Sequence, residues 1–142
     1  MANGSAVRIA VGQAGRNAVV VARAYEALNA GDIATLTGLF HEHASWHTPG
    51  LSRLAGNRRG RDAVCTQFCR YGRETGGTFR ANLLNVLESE DGRVVSVHHN
   101  SAGRPGKQLD VLCCIVFELE NGRIVIGREH FYDLYAWDMF WS

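Results

Sequence analysis

The 142-residue chain has no run approaching the roughly 20 apolar residues a helix needs to cross a bilayer. Its opening, MANGSAVRIAVGQAGR, lacks the apolar core and flanks of a secretory signal, so the expected location is cytoplasmic and no membrane contact is expected. An excess of one charge is missing too. Fifteen Lys and Arg face 14 Asp and Glu, and a net charge of +1 leaves no electrostatic footprint for nucleic acid. No Gly-rich phosphate loop follows a strand, which argues against a nucleotide cofactor. The cysteines make no C-x-x-C spacing, and His41 and His43, beside Glu42, do not form a compact signature for zinc or iron. Neither cofactor nor metal is therefore expected. In a reducing compartment Cys65, Cys69, Cys113 and Cys114 read as small core hydrophobes. Arg53, Arg58, Arg59 and Arg61 read as a solvated loop.

What is present fits one soluble domain: 46% apolar and 20% charged residues, in a length that can bury a core. Residues 1–15 read as a flexible leader whose short run VRIAV is a candidate edge strand, and residues 16–142 as the domain. Helical spacing begins near Asn17, with Val20, Ala24, Ala27 and Leu28 on one face, and Asn29-Ala30-Gly31 ends it. Asp32 is a natural N-cap for a second, short helix. A strand over 41–48 stops at Pro49-Gly50 and a loop fills 50–60. A third helix starts at Arg61 with Val64, Cys65, Phe68 and Cys69 as its stripe. Strands over 78–89, 93–102, 108–118 and 123–133 are separated by turn signals, including Asp91-Gly92 and Asn121-Gly122, and predict an antiparallel meander. Leu134, Trp137, Phe140 and Trp141 suit a short C-terminal helix. The fold class is α+β: three N-terminal helices packed on a strongly curved, mainly antiparallel sheet.

ALNAGD at 27–32, WHTPG at 46–50, GRDAV at 60–64, GGTF at 76–79 and the closing FYDLYAWDMFW together resemble the SnoaL-like branch of the nuclear-transport-factor-2-like superfamily. The resemblance implies a conical pocket and a homodimer formed through the sheet. Within that superfamily ALNAGD is similar to ketosteroid isomerase, whose helix-borne Tyr, base and acid fall on Ala24, Thr48 and Cys114 here. Those replacements argue against that mechanism, and Tyr25, one residue on, is expected to point away by about 100° of helix turn. The last strand is also similar to limonene epoxide hydrolase. Its water-activating carboxylate falls on Glu129, the partner carboxylate on His98, its Arg on Ser96 and a water-holding Asn on His47.

Strand alternation singles out overlapping positions without any relative. With Val125, Gly127, Glu129, Phe131 and Asp133 on one face, Gly127 leaves a hole beside Glu129. His98 and Asn100 face it from one neighbouring strand, and Ser45 and His47 from another. The expected catalytic set is Glu129 as base with His98 and His47 as polar partners, in a pocket lined by Trp46, Asn100, Leu112, Cys114, Val125, Phe131 and Asp133. A cofactor-independent isomerase, cyclase or hydrolase acting on an apolar small molecule of up to a few fused rings is the first reading. The alternative is a non-catalytic binding or accessory protein that keeps the cone, with Glu129 turned outward. Asp133 has a second reading as the cap of the last helix.

Overall fold

The structure, a computed structural model, describes residues 8–11 and 15–142. The leader expected over 1–15 falls largely outside the described residues. Within it, Arg8–Val11 form strand β1. Then follow α1 (Arg16–Ala30), α2 (Ile33–Gly38), β2 (Phe40–Thr48), β3 (Gly56–Arg59) and α3 (Arg61–Glu74). The chain continues with β4 (Arg80–Glu88), β5 (Val94–Arg104), β6 (Lys107–Glu120), β7 (Arg123–Phe131) and α4 (Leu134–Trp141).

Local chemistry explains where the helices begin and end. Gly31, at φ 71°, takes the left-handed conformation that ends α1, and the N–H of Asp32 returns to Ala27 O at 2.9 Å. Asp32 then caps α2, its carboxylate accepting from Thr35 N at 3.1 Å. Asp133 does the same for α4, accepting from Ala136 N at 3.0 Å.

The strands form one open sheet in the order β1-β4-β5-β6-β7-β2-β3. β4 to β7 are the antiparallel meander, whereas β2 joins β7 in parallel and β1 joins β4 in parallel. A loop was expected over 50–60, but Gly56–Arg59 pairs with β2 as the edge strand β3. Of the basic cluster there, Arg53 and Arg59 are exposed, as expected, and Arg58 and Arg61 are half-buried. Arg53 bonds Glu74 and Trp141 O, Arg58 donates to Leu54 O and Ala55 O, and Arg61 to Phe40 O. The turn before β3 is clamped from α4: Asp138 accepts from Leu51 N and Ser52 N, and Gly50, at φ 104°, presses against that carboxylate.

Two irregularities matter for the site. On β7, Val125 is an extra residue: Leu119 pairs with Ile124 while Glu118 pairs with Ile126. On β2, the segment between Phe40 and Ser45 spans only Ile124 to Ile126 of β7, which bulges His41, Glu42 and His43 outward. The helices cover one face of the bent sheet. The core lies between them and closes at one end with Trp137 and Trp141, both fully buried against Tyr71.

Candidate active site

Five elements place polar side chains inside this apolar shell. β7 brings Glu129, β5 brings Ser96, His98 and Asn100, β2 ends in Thr48, α1 carries Tyr25, and α3 carries Gln67 and Tyr71. β6 runs between β5 and β7 and sets their spacing, since His98 is opposite Cys113 and Glu129 opposite Ile115. A small cavity of about 40 Å³ is lined by Tyr25, His98, Asn100 and Glu129 together with aromatic walls that include Trp46 and Phe68.

The polar groups form two clusters around the cavity, on strands β5 and β7 of the same sheet face with β6 between them. In one cluster, Tyr25 Oη lies 2.7 Å from Ser96 Oγ and 2.5 Å from His98 Nδ1. Burial holds the His98 imidazole neutral, lowering its pKa to about 4 against a smaller opposite pull from Asn100. Burial likewise pushes the Tyr25 phenol well up, so it stays protonated. In the other, Thr48 Oγ1 donates to Glu129 Oε1 at 2.7 Å, and Gln67 Nε2 donates to Thr48 Oγ1 at 3.0 Å and Tyr71 Oη at 3.3 Å. Because the Gln67 N–H occupies a Thr48 lone pair, the Thr48 hydroxyl hydrogen is directed at the carboxylate. Burial raises Glu129 to about 7, with the Thr48 bond opposing it. No direct hydrogen bond joins Glu129 to His98 among the described residues, although both line the cavity. Two buried atoms on its walls, Asn100 Oδ1 and Trp46 Nε1, lie near enough to His98 and Glu129 to affect their ionisation but close no full hydrogen bond.

Several expected positions are elsewhere. His47 is exposed on the outer sheet face, 2.8 Å from Asn57 Oδ1, because its neighbour Trp46 points in and successive strand residues face opposite ways. Leu112 is outward and 41% exposed, since Cys113 beside it is buried. For the same reason Cys114 faces out; the isomerase comparison counted back from Gly122 to Cys114, but Cys113 holds the inward position. Val125 is the bulge residue, so its face is decoupled from that of Glu129, and Ile124 is buried instead. Phe131 stacks on Trp137 with ring centroids 4.2 Å apart and does not line the cavity. Asp133 is exposed and serves only as the α4 cap. The hole expected at Gly127 is filled by the Trp46 indole.

Tyr25 corrects the opposite error. It was expected to point away, yet it is inward, 6% exposed, in line with Ala18 and Val21. Its spacing of four from Val21 was the available signal. Gln67 and Tyr71 were also missed, although they share the 64-67-68-71 stripe of α3 with Val64 and Phe68. Among the described residues, no group of three His, Cys, Asp or Glu is placed to hold a metal.

This architecture, helices over a bent open sheet with a polar cavity between, is that of the SnoaL-like domain. The model of that family matches residues 21–126, and the chain belongs to it. The uncharacterized protein Rv0034 of Mycobacterium tuberculosis is 34% identical over 123 residues, covering 87% of this chain and 94% of its own. The structure of Bal32a, from a soil-derived mobile gene cassette, is 64% identical with a TM-score of 0.89, covering 91% of this chain and 98% of Bal32a. At the level of fold alone, the chain is similar to TerC, co-crystallised with polyporic acid: 18% identity, TM-score 0.75, 89% and 99% coverage. Solved NTF2-like proteins share the fold as well. No described helix is long and apolar enough to cross a membrane.

Proposed function

We propose that this chain is a cofactor-independent enzyme that moves a proton on a small carbonyl compound, an isomerase or cyclase type of reaction. Glu129 is the base. His98 is the donor to the oxygen that gains negative charge, and Tyr25 is a positioning residue. The observation that carries this is the pair of polar clusters that line one cavity without a hydrogen bond between them. A substrate between them completes the path from carboxylate to imidazole. A carboxylate titrating near 7 can take a proton at neutral pH and return it, as a general base must. In this reading Tyr25 donates to Nδ1, so that the neutral ring carries its hydrogen on Nε2 and can donate it. That TerC was co-crystallised with polyporic acid is consistent with small-molecule binding in this fold.

The test is exchange of the α-protons of butanone in D2O, followed by proton NMR. Wild type is expected to accelerate it with an apparent pKa near 7, Glu129→Gln to lose at least about 100-fold, and the outward His47→Ala to change nothing. Equal exchange in wild type and Glu129→Gln overturns the assignment. A second reading, a binding or accessory protein, is favoured by the small size of the cavity, and absence of exchange above buffer supports it.

The same reading makes the chain a homodimer through the outer sheet face. Leu87 and Leu112 stand exposed there, 46% and 41%, beside half-buried Val95, Val97 and Val116. Light scattering is expected to give twice 15.6 kDa for wild type and 15.6 kDa for Leu112→Lys. A wild-type monomer at micromolar concentration refutes the dimer.

A further inference from the structure

The inner cavity has a larger neighbour. A vestibule of about 330 Å³ lies between the end of α1, α3 and the start of β4, and it shares Leu28, Phe68, Tyr71 and Phe79 with the inner cavity. Those four side chains are therefore a partition between two compartments. The inner one, at about 40 Å³, is far below the roughly 300 Å³ at which ligand pockets usually begin, whereas the vestibule reaches it. Of the partition, Phe68 and Tyr71 are tied into the aromatic core, Phe68 edge-on to Trp46 and Tyr71 stacked on Phe79. Leu28 is only half-buried and is the side chain that can swing.

The vestibule is electrostatically one-sided. Its lining includes no Asp or Glu and one cation, Arg80. Arg80 is exposed and has no acidic partner among the described residues. Its Nη1 donates to Gly77 O at 2.9 Å and Phe79 O at 2.7 Å, which fixes the guanidinium and leaves Nε and Nη2 without a protein partner. The other amide on this wall, Asn29, is held by both backbone groups of Ala81, donating to its O and accepting from its N–H. A held guanidinium with a free edge, above Leu28, Ile33 and Phe79, matches a carboxylate joined to an apolar body.

From this we infer that the vestibule is a substrate subsite and that the substrate class is an amphipathic carboxylic acid. The carboxylate sits at Arg80, the apolar body fills the vestibule, and a short reacting end passes Leu28 toward Glu129 and His98. This rests on the inner cavity being the reacting end, and Arg80 is a specificity residue with no part in the chemistry.

Calorimetric titration with 4-phenylbutanoate and its neutral amide tests it. Wild type is expected to bind the acid about fivefold more tightly than the amide, the scale of an exposed ion pair, and less so in 0.5 M NaCl. Arg80→Gln is expected to equalise the two ligands, while Leu28→Ala, which opens the partition, keeps the preference for the acid. Equal affinities in wild type, a preference that survives Arg80→Gln, or no binding of the acid at millimolar concentration overturns the subsite. Failure is separable from failure of the acid–base reading, since butanone exchange does not involve Arg80 and acid preference does not involve Glu129.

Discussion

Glu129→Gln is expected to gain about 3 kcal/mol of stability relative to wild type between pH 4.5 and pH 7. Glu129 is 4% exposed and titrates near 7 instead of its ordinary 4.5, because burial disfavours the charged form. In that window the native state holds a proton that the unfolded chain has released. Its contribution to stability is therefore complete below pH 4.5 and is lost as pH rises through the folded pKa. The difference of 2.5 between about 7 and 4.5, at 1.36 kcal/mol each, gives about 3 kcal/mol. His98 has the opposite sign. Its pKa falls from 6.5 to about 4, so wild type loses a similar amount as pH drops across that range and the unfolded chain takes up a proton. Between pH 4.5 and 6.5 the two slopes nearly cancel, and each single variant uncovers the other. Compared with wild type, His98→Gln should gain stability as pH falls from 6.5 to 4. Other carboxylates, such as Glu74, held down near 2 by Arg53, drop out of the differences. Urea unfolding at half-unit pH intervals measures the curves. Parallel curves for wild type and Glu129→Gln would mean that the carboxylate ionises as easily folded as unfolded.

Gly127→Ala is expected to cost about 3 kcal/mol, lowering the melting temperature by about 10 °C, with a loss of function out of proportion to one methyl group. A Cβ at this position would overlap Cε3 and Cζ3 of Trp46 and lie 3.0 Å from Cη2. The indole cannot simply retreat. It is wedged edge-on against Phe68 at 4.9 Å and Phe117 at 5.9 Å, and close to Phe40. The strain therefore passes along β7 to Glu129, two residues away on the same face. Shrinking the indole should relieve it: in the Gly127→Ala, Trp46→Leu double variant, the combined loss is expected to be smaller than the sum of the two single losses. Additive losses would show that the glycine is needed for another reason. Near-UV circular dichroism of the tryptophans and thermal unfolding provide the readouts.

The inward positions of β5 and the end of β7 were legible because alternation there is unbroken. Val94, Ser96, His98, Asn100 and Ala102 are all buried, while Val95, Val97, His99 and Ser101 between them are only half-buried. Trp46 and His47 show the limit of counting. Both were assigned to the pocket, although adjacent residues of one strand take opposite faces, and the larger apolar group wins the inside. Val125 was misplaced by the bulge on β7, which inserts a residue without leaving a composition signal, and Cys114 by a count one residue off along β6, where Cys113 is inward.

By itself the sequence determined the order and type of nearly every element between residues 16 and 142, the turns that join the meander, and the caps of α2 and α4. Those are local properties, set by periodicity, turn chemistry and side chains within four residues of one another. Only the tertiary structure decided that Tyr25 meets His98 across 73 positions, that Thr48 meets Glu129 across 81, and that the two pairs face one cavity without touching. It also decided that Trp46 fills the space at Gly127 and that Leu28 divides the cavity from the vestibule. Such contacts depend on strand register, bulge position and helix rotation together, and a one-residue change in any of them turns a side chain from the inside to the outside.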